Sequence, residues 1–232
     1  MKSNGLQSCR SYVSAMGSSL ETRVSVSQCL ASITISREAG ARGQTIGKKL
    51  AEALNQGQTR DAVPWALFDK DLMKRVLADH NLSENLAKFF PETRWSEYDA
   101  IVGSLLKLHP DNWTVSKYTV DTIRRLGRAG HAIVVGRGSH IIAANLPNVL
   151  KVRFVGSVAS RVKYLRESRN LSERDARTYL ETHDQDRSAY LKQHFGHDID
   201  DAHDYSLVIN TDRFSDDEVV HLLKDRVTRM ES

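Results

Sequence analysis

At 232 residues the chain has room for one α/β-sized domain with a large core and some added segments, but not for two full domains. Its 40% hydrophobic and 27% charged residues exclude collagen-like, mucin-like and wholly disordered classes, and no apolar run approaches the roughly 20 residues of a membrane span. The net charge of +4 is a mild excess spread over three basic clusters, Arg37 to Lys49, Arg124 to Arg137 and Arg153 to Arg174, which suits a polyanionic small ligand better than a nucleic acid.

Residues 1–30 are serine-rich and lack an apolar signal-like stretch, so they read as an N-terminal extension, flexible or loosely docked. Both cysteines, Cys9 and Cys29, lie there, which leaves no disulfide scaffold or multi-cysteine zinc site and fits a reducing cytoplasm. From residue 31 to 232 the pattern is regular and reads as one domain. Five short β-branched runs are of strand length: Ser32–Ile35, Trp65–Phe68, Ala132–Val135, Leu150–Val155 and Ser206–Ile209. Helical spacing fills the gaps, at Ile46, Leu50, Ala53 and Leu54, then over Asp71–Ala78, Trp95–Leu108, Ser116–Arg128, Ser160–Ser168, Ser172–His194 and Asp216–Val227. Alternation of this kind predicts parallel strands joined by right-handed crossovers, hence a three-layer α/β fold. Two long helical excursions, about 70–130 and about 160–204, have the proportions of flaps over a ligand.

The first strand runs into Ser36-Arg37-Glu38-Ala39-Gly40-Ala41-Arg42-Gly43-Gln44-Thr45 and then an amphipathic helix. A strand, a glycine loop and a helix N-terminus hold phosphate because free backbone N–H groups and the helix dipole face the anion. The stretch departs from the standard phosphate-loop pattern, since Gly43 stands where the loop lysine belongs. Lys48 falls a turn inside the helix and reads as a surface residue. A plain glycine turn between strand and helix is the alternative.

Ile33 to Gly40 with Arg42-Gly43, Phe68-Asp69-Lys70-Asp71-Leu72, Gly136-Arg137-Gly138 and Asn170-Leu171-Ser172 together resemble the cytidylate-kinase-like family of P-loop proteins. Each motif but the last follows a predicted strand, where open α/β sheets bind ligands. The resemblance spans about Ile33 to Val227. It implies a P-loop NTPase-type fold with a five-stranded parallel sheet, a helical acceptor-binding region and a helical, arginine-bearing lid. It also implies binding of ATP with Mg²⁺ and transfer of the γ-phosphoryl to a nucleoside monophosphate or similar phosphorylated acceptor.

On that resemblance Arg37, Gly40, Ala41, Arg42, Gly43, Gln44 and Thr45 would hold the donor phosphates, with Arg37 or Arg42 replacing the lysine's charge and Asn210 near the base. Arg42, Arg137, Arg161 and Arg187 would be the catalytic cations that phosphoryl transfer needs around its moving charge. Asp69, Lys70, Arg137 and Asp184 would contact the acceptor, and Thr45 and Asp69 would hold magnesium. Asp69 reads equally as a helix cap, Asp184 with Arg187 as a surface ion pair, and Asn210 to Arg213 as a turn. Gly138 stands where the family's cytosine-reading aspartate would follow Arg137, so cytidine specificity is not expected. The run His194 to Asp204 reads as a lid loop rather than a metal site. Two rivals stay open: a nucleotide-holding module that lost catalysis with the lysine, and a kinase of another small molecule.

Overall fold

The structure, a computed structural model, describes residues 11–12, 14–15, 30–59, 62–69, 113–136 and 138–232. In chain order they form β1 (Ser32–Arg37), α1 (Gly43–Asn55), β2 (Ala66–Phe68), α2 (Trp113–Ala129), β3 (Ala132–Val135), α3 (Ser139–Ile142), β4 (Val149–Val155), α4 (Val158–Arg169), α5 (Glu173–Phe195), a short 3-10 turn (Ala202–Asp204), β5 (Leu207–Asn210) and α6 (Asp216–Glu231). The helices expected over Asp71–Ala78 and Trp95–Leu108 lie outside the described residues.

The five strands form one parallel sheet in the order β2-β3-β1-β4-β5. Parallel strands need both faces covered, and the side-chain alternation supplies two apolar faces. Ile33, Ile35, Ile133, Val152, Phe154 and Ile209 pack beneath α1 and α6. On the other face Phe68, Val134, Ile123, Leu126, Leu191 and Phe195 join β2, β3, α2 and the end of α5. A third cluster, Ala39, Val162, Leu165, Ala176 and Leu180, fastens α4 and α5 to the loop after β1.

Tyr12 is fully buried in the second of these cores, donating its hydroxyl to Gly130 O at 2.6 Å and meeting the Phe68 ring edge-on at 5.6 Å. The N-terminal segment, expected to be loosely docked, therefore contributes a core residue. No helix of the described residues is long and apolar enough to cross a membrane.

This order puts the end of β1 in the middle of the sheet, between strands whose connections run to opposite sides. Such a point opens a crevice at the carboxyl ends of the strands. Helices α4, α5 and α6 begin with serine caps at Ser157, Ser172 and Ser215, the last a full capping box with Glu218. Helix α1 differs: its cap residue Arg42 has φ 58° and makes no side-chain cap bond. The leading N–H groups of α1, at Gly43, Gln44 and Thr45, have no carbonyl a turn earlier in the helix.

Candidate active site

A cleft of about 660 Å³ opens over the end of β1 and is walled by the phosphate-loop candidate, Asp69, Gly136, Gly138 and the facing sides of α4 and α5. Strand β1 extends two residues further than the apolar run suggests, so Arg37 is the last strand residue and leaves the sheet at the cleft floor. Its guanidinium lies against Gly136 and makes no hydrogen bond or ion pair with any described residue. Burial, reinforced by the neighbouring guanidinium of Arg187, pushes its pKa down to about 10, against the pull of Tyr179, Asp69 and Asp184. Even so it is fully protonated near neutrality. An unpartnered cation beside a second cation is an arrangement that an anion completes.

Gly43 explains itself in this geometry. A β-carbon there would come within 3.0 Å of both Cβ and Cγ of Arg37. A lysine in the loop and an arginine at the strand end thus compete for the same space, and this chain has the arginine.

Arg42 is positioned differently. Its Nη2 donates to the carbonyls of Thr211 and, at 2.8 Å, Phe214, while Nη1 pairs with Asp216 at 2.8 Å. It ties the loop to the turn before α6 and does not point its charge at the loop, contrary to its expected part as a replacement cation. Arg161, expected to be catalytic, is 8% exposed and equally committed. Its Nη1 donates to Asp184 at 2.5 Å and to Ala39 O at 3.3 Å, and its Nε faces Glu38 at 3.5 Å.

Asp184 is the hub of this arrangement. Besides Arg161 it accepts the Ala39 N–H at 2.7 Å and Arg187 Nη1 at 2.9 Å, so one carboxylate joins α5, α4 and the loop. That contact uses one loop N–H for a protein carboxylate. Arg187 keeps its place on the cleft wall, and burial lowers its pKa as it does that of Arg37. Glu38 braces the other side by accepting Gly156 N–H at 2.8 Å.

Gly40 and Gln44 line the cleft, whereas Ala41 is buried beneath it at 1% exposure. Gln44 donates to Asp69 at 2.7 Å, and Thr45 shares a 2.6 Å hydrogen bond with the Tyr164 hydroxyl. Mg²⁺ carried by nucleotide phosphates needs only one or two protein oxygens, because phosphates and waters fill its other positions. Asp69, on the cleft wall, fits that need, whereas Thr45 is not among the residues lining the cleft and its hydroxyl is engaged by Tyr164. Asn210 lies off the cleft, its side chain accepting the Asp212 N–H at 3.0 Å in a turn. Arg137 and Lys70 lie outside the described residues. Gly138 has φ 66°, and a β-carbon there would come within 2.6 Å of Phe195, so packing of α5 forbids an aspartate at that position.

The histidine-rich run is internally paired. His197 meets Asp204 at 2.8 Å, His203 meets Asp201 at 2.8 Å, and Asp200 meets Arg153 at 2.5 Å. Among the described residues no three such groups converge as a metal set. Sequence reasoning gave no role to Glu38 and His140 on the cleft wall, or to Arg153 and Tyr205, which bond to Ser36 and His140 of that wall. Only Arg153, a charge inside an otherwise strand-like run, carried a sequence signal.

The sequence matches the profile of the cytidylate kinase-like family over residues 32–213. No curated protein matches it. A crystal structure of an uncharacterized protein from Eubacterium ventriosum superimposes with a TM-score of 0.67 at 19% identity, covering 86% of this chain and 98% of that one. Shikimate kinase from Bacteroides thetaiotaomicron gives 0.47 at 12% identity over 85% and 98%, and TT1252 from Thermus thermophilus gives 0.45 at 11% over 86% and 97%.

Proposed function

The chain belongs to the cytidylate kinase-like family, and from that premise we propose that it is a phosphotransferase that moves the γ-phosphoryl of ATP to a phosphorylated acceptor, a nucleoside monophosphate or a similar small molecule. The observation that carries this reading is Arg37. It takes the place of the missing loop lysine, its stem packed where Gly43 leaves space and its guanidinium making no hydrogen bond or ion pair with a described residue.

The rest of the cleft supports the same chemistry. Phosphoryl transfer needs little covalent help and much neutralisation of charge on the transferring group. Gly43 and Gln44 at the uncapped start of α1 line the same cleft as Arg37 and Arg187, so N–H groups and two guanidiniums would both be available to such a group. Arginine forks grip phosphate oxygens bidentately, which a point charge does not. Asp184 orients Arg187, and Arg161 orients Asp184, so the two residues serve the site through others. Magnesium, held through Asp69 and the nucleotide's own phosphates, would supply further neutralisation of charge.

Arg37→Ala tests this directly. Turnover of ATP with a panel of nucleoside monophosphates is expected to fall by about 10²–10³-fold in kcat/KM, the usual cost of removing one preorganised donor. Undiminished turnover would contradict the assignment. A second reading, a nucleotide holder without transfer, draws on the Ala39 N–H being taken by Asp184; it predicts ATP binding by calorimetry with no turnover on any acceptor.

A further inference from the structure

Directly beneath the cleft floor lies a buried polar chain that the transfer reaction, as described, does not use. Ser36, His140, Arg153 and Tyr205 are 5%, 4%, 4% and 8% exposed. Arg153 Nη1 donates to Ser36 Oγ at 3.1 Å, across the β1–β4 register that places the two residues side by side. The Tyr205 hydroxyl oxygen lies 2.8 Å from Ile199 O, 3.1 Å from His140 Nε2 and 3.3 Å from Ser36 Oγ.

A phenol has one proton, and a carbonyl oxygen can only accept. The proton therefore goes to Ile199 O. With that proton committed to Ile199 O, and at longer range to Ser36 Oγ, the tyrosine oxygen accepts from His140, which therefore carries its proton on Nε2 and keeps a lone pair on Nδ1. The imidazole is stacked on the Tyr205 ring at 4.6 Å and 24°, which holds its orientation. Among the described residues Nδ1 has no hydrogen-bond partner, and His140 forms part of the cleft wall. The ring stays neutral: burial pushes its pKa down to about 4, with Arg153, Lys151 and His197 adding to the effect and Asp204 opposing it.

We propose that Nδ1 of His140 is a specificity element of the acceptor site, a lone pair fixed in one tautomer that accepts a hydrogen bond from a hydroxyl of a phosphomonoester whose phosphate sits on Arg37 and Arg187. This rests on the anion-binding reading of the cleft. The two described guanidiniums can only donate, so a ligand that satisfied them alone would be read as charge and nothing more. A neutral acceptor in the same cleft rewards a ligand that also donates, and a carboxylate or second phosphate at that point would face a lone pair. The substrate class is therefore a hydroxylated phosphomonoester, such as the sugar phosphate of a ribonucleotide.

The test uses the full chain with ¹⁵N-labelled histidine. In the free protein NMR should show His140 with Nδ1 unprotonated. Inorganic phosphate should bind and leave that nitrogen unshifted. Ribonucleoside monophosphates of the four common bases are then compared with their 2′,3′-dideoxy counterparts. At least one ribonucleotide should shift Nδ1 and bind about 10-fold more tightly than its dideoxy partner, the worth of one hydrogen bond. His140→Phe should erase that preference, His140→Asn should retain most of it, and Tyr205→Phe, which frees the tautomer, should weaken it. A protonated Nδ1 in the free protein, equal binding of ribo and dideoxy forms, or an unchanged preference in His140→Phe would overturn the proposal. Failure of phosphate itself to bind would instead overturn the anion-site reading, and this proposal with it.

Discussion

A β-carbon on Gly43 would lie 3.0 Å from the aliphatic stem of Arg37, so one of the two must give by a few tenths of an ångström and the two positions are coupled sterically. Gly43→Ala should cost about 1–3 kcal/mol by overpacking, read from chemical denaturation. Gly43→Lys should not raise activity while Arg37 is present. The double change Arg37→Gly with Gly43→Lys exchanges the cation's point of origin, and it should recover turnover that Arg37→Ala loses. At the same scale His140 sets a pH dependence of stability. Its folded pKa of about 4 lies below the unfolded value of about 6.5, so the unfolded chain binds more protons between those limits. Stability should therefore fall as pH drops from about 6.5 towards 4, by at most roughly 3 kcal/mol from this group. His140→Phe should flatten that part of the profile, as followed by urea unfolding at successive pH values. An identical slope in the variant would mean that other groups carry it.

Among the elements, the joint between loop, α4 and α5 is made of charge rather than of apolar surface alone. Asp184 receives donors from three places, and its loss leaves Arg161, 8% exposed, with Glu38 as its remaining acid. Asp184→Asn should destabilise by about 2–3 kcal/mol, less than a fully buried pair would because the carboxylate is partly solvated. It should also raise KM for the acceptor through the release of Arg187, and thermal unfolding beside steady-state kinetics separates the two effects. The strands and the described helices other than the short α3 were legible in the sequence because β-branched runs and helical spacing report burial directly. The last residue of β1 was not legible, because a charged Arg37 ends the apolar pattern while the backbone pairing to Phe154 continues. Arg161 was read as a catalytic cation because its partners Glu38 and Asp184 are far away in sequence and only the fold brings them to it. Arg42 was misplaced for the same reason: Thr211, Phe214 and Asp216 come from the opposite end of the chain.

For the molecule as a whole, the sheet order makes one crevice the meeting point of β1, β3, α4 and α5, and the family match covers the same span. Residue 12 lies before that span yet is fully buried. Its serine-rich surroundings gave no apolar periodicity from which the burial of a single aromatic could be read. Tyr12→Ala should cost about 3–5 kcal/mol, seen as a Tm lower by roughly 10 °C, with kcat per folded molecule little changed. The central claim is that Arg37 supplies the cation of a working phosphoryl-transfer site. The most direct measurement is ³¹P NMR of ATP with Mg²⁺ and a nucleoside monophosphate panel, run side by side on the unaltered chain and on Arg37→Ala. The account predicts a new diphosphate product from at least one acceptor with the unaltered chain, and a rate lower by about 10²–10³-fold with the variant. Equal rates from the two proteins, or no product from any acceptor with the unaltered chain, would contradict it.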